Sequence, residues 1–96
     1  MLTPEQQRTA TLHALARQEN RAAVQHVAET ILTAVCPEGQ IHSTPRFLYS
    51  TVTSKRGRLV ATVSHTEKGI EVHAWEDAFG VKRLRKLNVV THWKKS

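Results

Sequence analysis

Phe47, Tyr49, His73 and Trp75 are three aromatic rings and an imidazole separated by even steps within stretches rich in Val and Thr, and Arg46, Lys55, Arg56 and Arg58 are interleaved with them. Even spacing sends side chains to the same side of a β-strand. Rings and cations on one sheet surface are suited to single-stranded nucleic acid, with bases stacking on the rings at about 1–3 kcal/mol each and phosphates held by the cations. The bland alternative is that cross-strand ring pairs stabilise a two-sided sheet, or that the segment holding Leu87, Val89 and Trp93 folds back over them.

Two further clusters carry charge. Ser54-Lys55-Arg56-Gly57-Arg58 gathers three cations around one glycine, the composition of a basic hairpin tip that enters a groove or follows a backbone. Val81-Lys82-Arg83-Leu84-Arg85-Lys86 is the densest basic run, continued by His92, Lys94 and Lys95. As a phosphate-contacting arm it makes affinity steeply salt-dependent; otherwise it is an edge strand protected by Lys and Arg against aggregation. The net charge of +6 is uneven: residues 1–40 carry three arginines against four glutamates, and residues 41–96 carry eleven cations against four carboxylates. A polyanionic partner follows, either DNA or RNA or an acidic protein surface.

Other chemistry finds little support. The six histidines show no His-x3-His spacing, and Cys36 stands alone beside Pro37, so no metal site or cofactor is expected. Of these histidines only His65 and His73, on adjacent strands, are expected to be able to lie near each other, and the register puts them on opposite faces. Glu71, Glu76 and Asp77 read as counter-charges rather than as an acid–base pair. Cys36 near a helix C-terminus gains nothing from the dipole that lowers a thiol pKa. The chain is expected to have no enzymatic activity.

The elements that must position these groups begin with a helix over 4–35. Thr3 is its N-cap, Pro4 takes the first helical position, Gln6 completes a capping box, and Leu2 is placed for a hydrophobic staple. Pro37 and Gly39 end it. Its apolar stripe changes direction: Leu12, Leu15, Ala16 and Ala23 share one face, and Val24, Val27, Ala28, Ile31 and Val35 share another, rotated by roughly 100°. The polar run Arg17-Gln18-Glu19-Asn20-Arg21 lies between them. This predicts a kink or break near Glu19-Asn20, or a first half that docks on a partner.

After a loop with Gly39, Ser43 and Pro45 the period changes to 2. Strands are expected at 46–54, 58–66, 70–76 and, more weakly, 86–93, with two-residue turns at Arg56-Gly57 and Lys68-Gly69. This register puts Leu48, Val52, Leu59, Ala61, Val63, Ile70, Val72 and Ala74 on a core face beneath the Val24-to-Val35 stripe. The opposite face then carries Phe47, Tyr49, Thr51, Thr53, Val60, Thr62, Ser64, Glu71, His73 and Trp75.

The expected fold is α+β in one domain spanning 1–96: a long N-terminal helix, with or without a kink, packed on one face of a three- to four-stranded antiparallel meander. The expected function is a small non-enzymatic nucleic-acid-binding protein, working through Arg46, Tyr49, Lys55, Arg56, Arg58, His73, Trp75, Lys82, Arg83, Arg85 and Lys86. The alternative is an interaction protein of the kind mobile elements encode, which binds and inhibits a host protein complex through the same basic surface. The N-terminus lacks a basic region followed by an apolar core, and the longest apolar stretch is far below the roughly 20 residues of a membrane span. With a single cysteine, this suggests a reducing, cytoplasmic setting.

Overall fold

The computed structural model describes residues 3–44 and 48–95, with the side chains of residues 8–17 outside that description. Helix α1 covers Pro4–Val35. It begins as its capping residues dictate: the Gln6 N–H donates to Thr3 Oγ1 at 3.2 Å, and the Thr3 N–H donates to Gln6 Oε1 at 3.0 Å. The helix runs through Glu19-Asn20 without a break. Leu2, Leu12, Leu15 and Ala16 fall outside the described side chains. The second stripe packs as expected, with Val24, Ala28, Ile31 and Val35 buried and Val27 packed beside them.

Five strands form one sheet in the order β1(Gln40–Thr44), β2(Tyr49–Thr53), β3(Leu59–Thr66), β4(Gly69–Trp75), β5(His92–Lys94). The first four pair antiparallel and β5 pairs parallel to β4, so the sheet is mixed and has one strand more than expected. Strand β1 replaces a predicted loop. Its sequence Gln-Ile-His-Ser-Thr buries little, and it forms by pairing Ile41 with Val52 and His42 with Thr51 along the edge.

The predicted strand at 86–93 is corrected to a helix followed by a short strand. Helix α2 covers Val81–Leu87, and Val81, Leu84 and Leu87 recur at the three-residue spacing of one helical face. Leu84 is fully buried, whereas Lys82, Arg83, Arg85 and Lys86 are exposed. Left-handed residues bracket the helix, Gly80 (φ 78°) at its start and Asn88 (φ 55°) at its end. A side chain at Gly80 would run into the Val35 side chain, so this glycine lets α2 approach α1 closely. Arg83 Nη1 then donates to the Val35 carbonyl oxygen at 3.3 Å, occupying an acceptor that α1 leaves open at its C-terminus. A helical crossover between β4 and β5 is what allows those strands to run parallel.

The core lies between this helix layer and one side of the sheet. Val52, Ala61, Val63, Val72 and Ala74 are buried there with the α1 stripe, as the alternation predicts. Three predicted core positions differ: Leu48 and Ile70 are half-buried, and Leu59 is exposed. Leu59 is displaced because the first turn is one residue longer than expected. The Gly57 N–H donates to the Ser54 carbonyl at 2.9 Å, the Ser54 N–H donates to the Arg58 carbonyl at 2.8 Å, and the register shifts between Val52 and Thr53. The second turn is at Glu67-Lys68 instead of Lys68-Gly69, because Thr66 pairs with Gly69. That slip is of two residues, so it leaves every side chain on its predicted face.

Candidate nucleic-acid interface

No described element covers the other side of the sheet. Both helices lie on the core side: α1 packs on β2 and β3, and Arg85 of α2 lies 4.4 Å above the ring of Trp93, which pairs with the core residue Ala74. The register therefore assembles the open face row by row. One row crosses all five strands as His42, Thr51, Thr62, His73 and His92. A second runs Thr44, Tyr49, Ser64 and Glu71. A third position pairs Trp75 with Lys94.

This is the face expected to carry the rings, and Tyr49, His73 and Trp75 share it. Tyr49 is 36 % exposed, His73 and Trp75 are half-buried, and Lys94 Nζ sits 5.5 Å above the Trp75 ring. The Lys94 ammonium thus lies over one face of the indole as a cation–π contact. Two positions expected on this face are buried: Val60, the extra residue at the register shift between Val52 and Thr53, belongs to the core cluster, and Thr62 lies in the middle strand of the sheet. Thr62 sits between Thr51 and His73. The floor of the face is thus short and the rings rise from the strands beside it.

The histidines are arranged in a way that sequence spacing does not reveal. His73 and His92 stack with ring centroids 4.4 Å apart and planes inclined by 8°. His73 Nε2 lies 3.4 Å from Glu71 Oε2, while His73 Nδ1 is buried with no partner among the described residues. His92 Nδ1 lies 2.8 Å from Thr91 Oγ1. Eighteen residues, α2 among them, separate the two histidines, so no local pattern signals them. Only the β4–β5 register brings them together. His65 pairs with Ile70, three residues along the strands from the Thr62–His73 pair, and this odd step points it to the opposite face as expected.

The predicted cations divide among three places. Lys55, Arg56 and Arg58 are exposed on the first hairpin tip. They line a cleft of about 400 Å³ together with Cys36, Pro37 and Phe79, and Lys55 Nζ reaches Glu38 Oε2 at 3.7 Å across its rim. Lys82, Arg83, Arg85 and Lys86 belong to α2, in the helix layer and behind the sheet relative to the rings. The arm expected from this run is a short docked helix. Arg46 and Phe47 lie outside the described residues. Burial pushes the Cys36 thiol above its ordinary pKa, which keeps it protonated and unreactive at neutral pH.

No helix among the described residues is long and apolar enough to cross a membrane. No family model, curated protein or solved structure matches this chain. The geometry of the open face is accordingly the basis for a functional reading.

Proposed function

We propose that the chain is a non-enzymatic protein that binds single-stranded nucleic acid on the helix-free face of its sheet. One observation carries the reading: Tyr49, His73, His92 and Trp75 project from one uncovered surface, with Lys94 at the Trp75 ring. Extruded bases stack on Tyr49 and Trp75, which stand two strands apart and four residues out of row, roughly 10 Å across the sheet and roughly 13 Å along it. Thr51, Thr62 and Ser64 offer hydroxyl groups to base edges or sugars between them. The phosphates run towards Lys94 on one side and towards the Lys55-Arg56-Arg58 tip at the end of the sheet. Duplex binding fits less well, since stacking on a flat sheet requires bases already out of the helix.

The division of charge favours a second reading in one respect. Four cations of α2 face away from the rings, so a protein with an acidic surface fits the helix layer better than one strand spanning both faces. Equilibrium titration of the whole chain with single- and double-stranded DNA and RNA at two salt concentrations separates the two. The nucleic-acid reading requires single strands to bind more tightly than the roughly 10⁻⁴–10⁻⁶ M of non-specific contact, with log affinity falling linearly against log salt. Affinity no tighter than that for every oligonucleotide would leave the protein-binding reading in its place.

A further inference from the structure

We infer that Glu71, His73 and His92 form a binding site for one divalent transition-metal ion of the zinc class on the open face. The donor atoms of these three side chains all lie within 4.8 Å of one another. Two imidazoles and a carboxylate are a donor set that zinc takes at about 2.0–2.2 Å. Donor atoms around such an ion lie about 3–3.5 Å apart, as tetrahedral geometry at those bond lengths requires, so closure needs side-chain rotation without movement of the strands. The His73 and His92 backbones are held as direct partners in the β4–β5 register.

Hydrogen bonding already sets one ligand in its metal-binding form. The Thr91 hydroxyl donates to the Val72 carbonyl at 3.0 Å and accepts from the Val72 N–H at 2.9 Å. Its single proton is thereby used, so the 2.8 Å contact to His92 must run from Nδ1–H to Thr91 Oγ1. The lone pair of neutral His92 is then on Nε2, and a partner on the far nitrogen fixes the ring as it does for histidines that ligate metals. His73 Nε2 faces Glu71 Oε2 at 3.4 Å, a long contact for a hydrogen bond. A cation on that nitrogen leaves the proton of the neutral ring on Nδ1, which is buried with no partner among the described residues, so binding carries the cost of one unpaired N–H.

Exposure is graded across the three ligands. His73 and Glu71 side chains are about a quarter exposed, 24 % and 25 %, and His92 is exposed. The ion is therefore held from below by the sheet and keeps coordination positions open to solvent. That is the layout of a site that can also accept a ligand oxygen, such as a phosphate. The site stands independently of the nucleic-acid reading, because zinc binding is measured without any oligonucleotide.

The test is calorimetric titration of the untagged full chain with zinc alone, backed by cobalt substitution to read coordination from its visible absorption. One equivalent of zinc is expected to bind, with affinity falling at least tenfold in His92→Gln and in Glu71→Gln. His42→Gln, at the far end of the same row, should bind as the parent does. His92 is exposed, so its replacement leaves the core untouched even if His73→Gln perturbs the sheet. No stoichiometric binding, or binding that survives both the His92 and Glu71 replacements, would overturn the inference.

Discussion

The two faces of this sheet follow opposite rules, although they alternate residue by residue along the same strands. On the covered face Val52, Ala61, Val63, Val72 and Ala74 meet Val24, Ala28, Ile31, Val35 and Leu84, and nothing polar in that cluster needs a partner. On the open face hydroxyls, imidazoles and rings sit in cross-strand rows, and one His73 nitrogen has no partner among the described residues. Small aliphatic side chains let a helix approach a sheet closely, and burying them provides the stabilising free energy of a chain this short. Rings and titratable groups left uncovered add little stability by comparison. Under the proposed function they serve contacts with something outside the chain.

The largest expected effects lie on the covered face. Ile31→Ala should destabilise by about 2–4 kcal/mol, since Ile31 is fully buried between α1 and the sheet. Chemical denaturation measures this, and a wild-type midpoint for Ile31→Ala would invert the two faces. Gly80→Ala comes next, at roughly 2–3 kcal/mol. It forces a side chain into φ 78° and into the Val35 side chain, so α2 must move away from α1. The Arg83 hydrogen bond to the Val35 carbonyl should break with it, read as faster amide exchange at the end of α1 and through α2.

These effects fall on parts of the fold that differ greatly in how well the sequence foretold them. The α1 stripe and the faces of β2, β3 and β4 were legible because strict alternation runs between two glycine-containing turns. A misjudged second turn slipped by two residues, and an even slip preserves the faces. Leu59 was misplaced because the longer first turn shifts register at Thr53, which changes parity at the strand end. Strand β1 was illegible because an exposed edge needs no apolar pattern. In α2 the basic residues concealed a spacing of only three apolar positions, Val81, Leu84 and Leu87. Misreading α2 concealed β5, and with it the pairing of His73 to His92, the feature of the open face that no inspection of single strands reveals.

The open face should behave differently under substitution. Trp75→Ala should cost little stability while weakening single-strand binding by about 1–3 kcal/mol, with an unchanged salt slope. Joint replacement of Arg83, Arg85 and Lys86 sharpens the comparison from the other side of the molecule. If phosphates reach the helix layer, the slope of log affinity against log salt becomes shallower by about 0.7–0.9 for each phosphate those side chains neutralise. An unchanged slope assigns phosphate binding to Lys94 and the hairpin tip. Thr51→Ala is the smallest effect, a change in stability of no more than about 0.5 kcal/mol by chemical denaturation, as at a half-exposed site away from the core.

The most direct measurement is a residue-resolved map of the surface engaged by a single-stranded oligonucleotide, taken from amide and side-chain chemical-shift changes during titration. Changes concentrated at Tyr49, Thr51, Thr62, His73, Trp75 and Lys94, with α2 and the α1 stripe unmoved, are the predicted result. Changes confined to α2, or none at any residue at saturating oligonucleotide, would contradict the assignment of the open face as the working surface.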